Sequence, residues 1–365
     1  MSEIVYLANP KSPHVTQWLE LEVLTKPIKL YHIGAPDSRT VSSSDIILVA
    51  AIPSQMQRLP NITQYFILGL ILRLRLKPNT IIHAHNSSGY GLSALLSSRH
   101  YIVTTYGTEV FGASHRGKVY IKLLNKVLQK ADIITSTSNE MTKTLLMMNS
   151  NLQAKIRTFS LGISEIFHSQ PRTSIREKAE PKTWFVNRRI HPHYDTDIIV
   201  DAFINFLENG GTGRLQLLKG DADSTFLKKI CSQIESFPEI SIVDRFLDKR
   251  EMISYLDQAD FCISIPRSDQ LSSSILEGMA RGCVQILAPL ETYKQAKLCG
   301  VYLDNDLSLY DALCRIFDRT SRMSEPEISI LGNQAEKMLE TMFSKQNAQE
   351  KYICILKSLN ADNMA

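Results

Sequence analysis

Residues 260–289 read DFCISIPRSDQLSSSILEGMARGCVQILAP, and the architecture of the chain can be inferred outward from them. The pattern predicts a strand over 261–265, a polar loop, a short helix capped within 272–274, and a strand over 284–288. Gly282 suits the position just beyond the helix end. Because the loop follows the carboxyl end of a strand and enters a helix N-terminus, free N–H groups there would face an anion. The stretch therefore predicts an α/β domain that binds a phosphate-containing ligand.

Two acidic residues in this stretch, Asp269 in the loop and Glu277 in the first turn of the helix, lie eight positions apart. No ligand is required to explain Glu277 alone. With Ser274 as the N-cap residue, Glu277 would be the N3 residue of a capping box. The alternative is that both carboxylates serve a ligand.

The longer pattern SDQLSSSILEGMARG, residues 268–282, favours a ligand. It resembles the signature of two acids separated by seven residues in GT-B retaining glycosyltransferases, particularly the large family that includes bacterial mannosyl- and N-acetylglucosaminyltransferases. The resemblance implies an α/β fold of two Rossmann-like doubly wound domains facing a central cleft. It also implies that Glu277 holds the donor ribose and that Asp269 contacts the sugar hydroxyls.

A pair of arginines predicts where the diphosphate of such a donor would lie. Arg188 and Arg189 follow the first predicted strand of the second half, where the family commonly has Gly-Arg-Leu followed by Lys a turn later. Arg189 matches the arginine, whereas Tyr194 stands in place of the lysine, so a second cation requires Arg188. Two guanidinium groups could neutralise a diphosphate without a metal. The alternative is an arginine pair that solvates a surface loop.

The resemblance thus implies a catalytic group and a donor-binding group, with no metal ligand and no cofactor. The catalytic group is Asp269, Glu277 and Arg189. The donor-binding group is Arg188, Arg189, Gly220, Arg245, Phe246, Leu271, Ser272, Ser273, Ser274 and Glu277.

The first half of the chain shows the same alternation of apolar strands and helical segments. Strands are predicted over 4–7, 28–33, 46–49, 80–83 and 101–105, which indicates a parallel, doubly wound sheet. Ligands of such sheets gather at the carboxyl ends of strands. The acceptor-side candidates at those ends are His85, Gly107, Thr108 and Glu109. For a single histidine such as His85, a hydrogen-bonded structural role is the alternative.

The length of 365 residues suits two α/β domains. The sequence predicts an acceptor-side domain over 1–167 and a nucleotide-sugar-binding domain over 168–347. The segment 168–182, rich in Ser, Pro and charge, is predicted as the linker. Residues 131–138 resemble the last strand of the first domain. The resemblance further implies that the tail 348–365 packs back on the first domain.

Composition argues against several other classes of protein. The net charge of +4 does not indicate a nucleic-acid partner. The six cysteines occur singly, which indicates free thiols in a reducing compartment rather than zinc or redox sites. The longest apolar run, 66–72, is far shorter than the ~20 residues of a membrane span. The expected location is the cytoplasm, with the protein either free or peripheral on the inner face of the cell membrane.

Two segments could contact a membrane or a lipid-linked acceptor. In 65–77 an apolar run ends in basic residues, and a core helix with a basic C-terminus is the usual explanation. In 116–130 an apolar face runs beside a row of lysines spaced four apart, whose mutual repulsion an anionic partner would relieve. That row is Lys118, Lys122, Lys126 and Lys130. A merely solvated helix face is the alternative.

The resemblance to GT-B retaining glycosyltransferases implies a hexosyl- or N-acetylhexosaminyltransferase of the retaining type. It would move a sugar from a nucleotide diphosphate sugar to a glycan or polyprenyl-linked acceptor in bacterial cell-surface polysaccharide synthesis. Two other functions fit the same residues. One is a nucleotide-sugar epimerase of the same superfamily. The other is a non-catalytic nucleotide-sugar-binding partner, favoured by Tyr194 and by the absence of a Gly pair after the first strand.

Overall fold

The computed structural model describes residues 3–22, 27–34, 45–50, 52–169 and 181–362. They form two compact units, Met1–Leu161 with Lys345–Ala365, and Gly162–Ser344. Each unit contains one sheet in which all neighbouring strands are parallel. The predicted doubly wound α/β class is confirmed.

The first unit contains a seven-stranded sheet whose order is β3-β2-β1-β4-β5-β6-β7. Its strands are β1 Ile4–Leu7, β2 Ile28–His32, β3 Ile46–Ala50, β4 Ile81–His85, β5 His100–Thr104, β6 Ile133–Ser136 and β7 Ile156–Thr158. Its first six helices are α1 Pro13–Leu19, α2 Asn61–Arg75, α3 Gly89–Ser97, α4 Thr108–Phe111, α5 Lys118–Lys130 and α6 Asn139–Met148. The strand order reverses between β1 and β4.

The second unit contains a six-stranded sheet whose order is β10-β9-β8-β11-β12-β13. Its strands are β8 Thr183–Arg189, β9 Arg214–Leu218, β10 Ile240–Val243, β11 Phe261–Ser264, β12 Val284–Leu287 and β13 Val301–Tyr302. Its helices are α7 Ile166–Ser169, α8 Thr196–Glu208, α9 Ser224–Ile234, α10 Lys249–Gln258, α11 Ser273–Ala280, α12 Glu291–Gln295, α13 Leu309–Ser321 and α14 Glu325–Met342. Here the order reverses between β8 and β11.

Alternation along the central strands builds a core on each face of the sheet. In β1, Val5 and Leu7 join the cluster that contains Leu68 of α2, whereas Ile4 and Tyr6 join the cluster that contains Trp18. Successive strand residues point to opposite faces, so a strand that is apolar throughout must be covered on both sides.

The last helix, α15 Lys345–Asp362, belongs to the first unit. The Tyr352 hydroxyl lies 2.8 Å from the Tyr6 hydroxyl and 2.8 Å from His83 Nδ1. The Trp18 and Tyr352 rings meet edge to face at 5.3 Å. Tyr6 also donates a hydrogen bond to Glu22. A buried polar network thus fixes the end of the chain against its first strand.

One unit boundary and one strand differ from those expected from the sequence. The units divide at Leu161/Gly162 rather than after Phe167, because Ile163 and Phe167 are buried in the second unit and the Ile163 N–H donates to the Phe343 carbonyl at 3.1 Å. The predicted linker 168–182 lies mostly outside the described residues.

The predicted last strand of the first domain is followed by another, β7, which pairs with β6 at the sheet edge. Its three residues are too few to show alternation.

Within the described residues, no helix combines the length and apolar composition that crossing a bilayer requires.

Candidate functional site

The candidate donor site lies in the second unit where the strand order reverses, at the carboxyl ends of β8 and β11. Connections leave these two strands toward opposite sides of the sheet, which opens a crevice at their ends. β8 carries Arg188 and Arg189 at its end, and β11 leads into the loop 265–272 and then α11. The two sequence motifs predicted to form the site therefore start from adjacent strands.

Arg189 is exposed at an irregularity of β8, where the pairing with β9 shifts between Val186 and Arg189. Gly220 passes directly beside it, and a Cβ added to Gly220 would lie 2.5 Å from the Arg189 Cβ. Gly220 also has φ +55°, which disfavours any other residue. Among the described residues, the Arg189 side chain has no hydrogen-bond or ion-pair partner. Its charge is therefore available to a ligand.

Arg188 is largely buried and forms an ion pair with Asp269. Its guanidinium lies 4.9 Å from the centre of the Tyr194 ring, a cation–π distance. Its Nε is buried and has no partner among the described residues. Tyr194, which replaces the expected lysine, therefore makes a cation–π contact with Arg188. The site retains two cations, Arg188 and Arg189.

Asp269 is held by more partners than the sequence suggested. Tyr293 donates a 2.7 Å hydrogen bond to its Oδ2, and Thr292 donates one to its backbone carbonyl at 3.1 Å. Burial raises the pKa of Asp269, and the charge of Arg188 and the Tyr293 hydrogen bond partly offset that shift. One oxygen of Asp269 is thus already used to orient Arg188. Sequence reasoning missed Tyr293, because only the fold brings it to the loop.

The loop 265–272 is also tied to the turn after β8. His193 Nε2 lies 2.8 Å from the Ser268 carbonyl, and the Arg267 N–H donates to the His193 carbonyl at 3.0 Å. The Arg267 guanidinium pairs with Asp195 at 2.6 Å. These contacts fix the loop relative to Arg188 and Arg189.

The alternative explanation of Glu277 as the N3 residue of a capping box is wrong. The helix begins at Ser273 with Ser272 as N-cap, so Ser274 lies within the first turn and Glu277 lies two residues beyond N3. Asn187 Nδ2 donates to the Ser274 carbonyl at 2.7 Å, which binds this turn to β8. At the other end Gly282 follows the C-cap residue with φ +66°, so the predicted helix stop is confirmed.

Glu277 is a half-buried carboxylate that the fold does not use. It has no hydrogen-bond partner among the described residues. Burial raises its pKa to about 7, against the opposing charges of Lys249 and Arg188. Lys249 opens α10, and its Nζ lies 3.1 Å from Ser164 Oγ. Glu277 is therefore a desolvated acceptor beside two cations, which is an arrangement expected of a binding site.

The raised pKa of Glu277 predicts a pH-dependent stability difference. Between pH 4.5 and about 7 the folded chain keeps a proton that the unfolded chain has released, so the free energy of unfolding falls as pH rises through this window. Glu277→Gln removes this cost. We expect the free energy of unfolding of the variant, relative to that of the wild type, to be about 1–3 kcal/mol higher at about pH 8 than at about pH 5. Urea denaturation at both pH values measures the gain, with Glu340→Gln on the exposed side of α14 as the matched control.

The residues predicted to flank the nucleotide base lie on strand-end loops of the same unit. Phe246, just after β10, is 77% exposed and offers an aromatic face for stacking. Arg245 forms a 3.2 Å ion pair with Glu251. Leu271 is half-buried before α11. Their contact with a nucleotide stays a prediction.

In the first unit, two of the acceptor-side residues meet through Tyr106. His85 Nδ1 lies 2.6 Å from the Tyr106 hydroxyl, and the Tyr106 N–H donates to Glu109 Oε1 at 2.7 Å. Burial lowers the pKa of His85 to about 3 and raises that of Glu109. His85 is therefore neutral, and its surroundings match the structural alternative. Glu109 Oε2 and His85 Nε2 have no partner in the described part of the chain.

The other two acceptor-side residues form the start of α4. Gly107 is its N-cap and is buried, whereas Thr108 is exposed. Only Thr108 of the four predicted residues thus presents an exposed side chain, and the acceptor role of the group stays a prediction. No cluster of three His, Cys, Asp or Glu side chains suited to a metal ion occurs among the described residues of either unit.

Comparison with solved structures identifies the fold. No protein-family model matches the sequence, and no curated protein matches it either. Solved structures, in contrast, match almost the whole chain, and they show that it has the GT-B fold found in glycosyltransferases.

Three similar solved structures show a high structural similarity at low sequence identity. Sucrose-phosphate synthase from Thermosynechococcus elongatus has a TM-score of 0.77 at 13% identity, covering 99% of this chain and 100% of that one. Anabaena HepE in complex with UDP and glucose has a TM-score of 0.75 at 10% identity, with coverage of 98% and 100%. A UDP-forming α,α-trehalose-phosphate synthase from Burkholderia xenovorans has a TM-score of 0.74 at 10% identity, with coverage of 99% and 100%.

Proposed function

We propose that the protein is a retaining glycosyltransferase that moves a hexosyl or N-acetylhexosaminyl group from a nucleotide diphosphate sugar to a glycan or lipid-linked acceptor. The observation that carries the proposal is the convergence of Arg188, Arg189, the N-terminus of α11 and Glu277 at the point where the second sheet reverses its strand order. HepE, which shares the fold, has been crystallised with UDP and with UDP-glucose. A uridine nucleotide is therefore the first donor to test.

Each group has a distinct part in the proposed chemistry. Arg189 and Arg188 neutralise the diphosphate, aided by N–H groups of the first turn of α11. Glu277 accepts hydrogen bonds from the ribose hydroxyls. As the bond to the sugar breaks, the two guanidinium groups stabilise the charge that develops on the leaving diphosphate. A phosphate oxygen takes the acceptor proton, so no protein base and no metal ion is assigned to the reaction.

Nucleotide-sugar binding tests the proposal directly. We expect one UDP- or GDP-sugar from a thermal-shift panel to raise the melting temperature, since a ligand at 100 times its Kd stabilises the folded state by about 2.7 kcal/mol. EDTA should leave binding and transfer unchanged. Arg189→Met should abolish the shift, whereas Arg322→Met, which removes an exposed arginine of the same unit, should not. A strict requirement for added manganese or magnesium would contradict the assignment of the diphosphate to the arginines.

Product analysis separates the proposed activity from the two other functions. A transferase consumes the donor only when an acceptor is present, apart from slow hydrolysis. Conversion of the donor into an isomeric nucleotide sugar without acceptor would identify an epimerase. Tight donor binding without turnover across a glycan and polyprenyl-phosphate acceptor panel would identify a non-catalytic binding partner.

A further inference from the structure

Helix α2 of the first unit is apolar on two opposite sides. Leu68 and Leu72 are fully buried against the sheet. On the other side a stripe with a spacing of four residues faces solvent: Ile62, Phe66, Leu70 and Leu74, exposed by 58%, 49%, 42% and 86%. The sequence interpretation of this segment as a core helix explains only the first side. A water-soluble surface helix carries polar residues where this stripe lies, so the stripe indicates a partner.

A cavity continues the stripe toward α5. It measures about 210 Å³, and Ile62 and Tyr65 line it from α2 while Tyr120 and Leu123 line it from α5. Val119, one turn away on α5, is 82% exposed. We call these exposed residues of α2 and α5 together with the cavity the α2–α5 face.

The stretch of sequence that contains this face carries charge of almost one sign. Between residues 46 and 131 the only acidic residue is Glu109, which is buried. The same stretch contains ten basic residues: Arg58, Arg73, Arg75, Lys77, Arg99, Arg116, Lys118, Lys122, Lys126 and Lys130. Arg116 packs over the Tyr120 ring at 5.1 Å, at the rim of the cavity. The exposed apolar side chains thus lie on a segment rich in cations, which has one acidic residue of its own.

We propose that the α2–α5 face binds the surface of an anionic phospholipid membrane. The stripe of α2 enters the boundary between headgroups and acyl chains, with the helix lying in the plane of the surface. The basic residues meet lipid phosphates and carboxylates. A second copy of the chain fits less well as the partner, because pairing this face with itself would bring the two basic rims together. The proposal does not depend on the catalytic proposal, since none of these residues belongs to the donor site.

Vesicle co-sedimentation tests the face. The wild type should bind vesicles of phosphatidylcholine and phosphatidylserine at low salt, should bind pure phosphatidylcholine weakly, and should be released as salt screens the charges. Phe66→Ser/Leu70→Ser/Leu74→Ser should abolish binding. Lys118→Gln/Lys122→Gln/Lys126→Gln should weaken it by about a hundredfold, at about fivefold per lysine near the surface.

Matched controls lie on other surfaces. Ile330→Ser/Met342→Ser removes exposed apolar residues of α14, and Lys228→Gln/Lys337→Gln/Lys357→Gln removes three exposed lysines; both should leave binding unchanged. Unchanged vesicle binding by the α2 variant would overturn the proposal. So would a wild-type dimer, measured by light scattering, that the α2 substitutions convert to a monomer without any lipid binding. Unaltered nucleotide-sugar binding by the α2 variant keeps this result separate from the donor site.

Discussion

Replacing Glu277 with Gln is expected to weaken binding of both UDP and the intact nucleotide sugar ten- to a hundredfold. The carboxylate has no hydrogen-bond partner among the described residues, and its burial raises its pKa to about 7. The ionised carboxylate therefore destabilises the folded state. If it accepts ribose hydrogen bonds, the loss of a charged hydrogen bond costs about 1.5–3 kcal/mol. Isothermal titration calorimetry above pH 7, where the carboxylate is ionised, measures the change.

Asp269→Asn tests whether the loop acid acts through Arg188. A carboxylate that touches only the sugar would leave the affinity for free UDP unchanged when neutralised. The ion pair between Asp269 and Arg188 predicts instead that UDP binding also weakens, because Arg188 loses the group that orients it. Glu340→Gln, in an exposed turn of α14, is the control for removing one negative charge from the unit. Equal affinities in all variants would remove both acids from the site.

Replacing Arg281 with Met is expected to lower the free energy of unfolding of the second unit by about 3–5 kcal/mol. Arg281 and Asp257 are 4% and 1% exposed and share two hydrogen bonds of 2.7 and 2.9 Å. Arg281 Nη1 also donates to the Phe167 carbonyl at 2.9 Å. The substitution leaves a carboxylate buried without its ion pair. Urea denaturation followed by Trp184 fluorescence in a Trp18→Phe background measures the loss for this unit.

Two further variants establish the cause. Arg322→Met removes an exposed partner of Asp318, with side chains 77% and 55% exposed, and should cost no more than about 0.5 kcal/mol. Asp257→Leu combined with Arg281→Met removes both charges and should recover much of the stability, because the desolvation cost of the carboxylate disappears with it. A double variant as unstable as Arg281→Met alone would assign the loss to packing.

Sequence patterns predicted two neighbouring strands of the second sheet because buried parallel strands are short apolar runs with clear ends. The strands expected at 261–265 and 284–288 are β11 and β12 to within one residue, and Gly282 ends α11 as expected from its place after Ala280. The first sheet was predicted as well, apart from β7, whose three edge residues carry no apolar period.

The details of the candidate site were harder to predict because contacts between distant residues determine them. Tyr293 lies 24 positions beyond Asp269 and reaches it only because β12 runs beside β11. The first turn of α11 is tied to β8 by the contact between Asn187 and Ser274, which the local pattern SSS cannot reveal. The sequence likewise indicated that Tyr194 leaves the site one cation short, and only the fold shows its ring 4.9 Å from the Arg188 guanidinium.

The contact between Tyr6 and Tyr352 joins residues 346 positions apart and has a consequence for biosynthesis. The face of β1 that carries Ile4 and Tyr6 packs in a cluster completed by residues of α15, so the first unit cannot complete its core until α15 has been synthesised. The second unit lies wholly within the intervening segment and can close earlier. Domains generally fold from the N-terminus, and we expect this chain to depart from that order, with the second unit folding before the first. The nascent first sheet, with apolar strands exposed meanwhile, is where a chaperone would act.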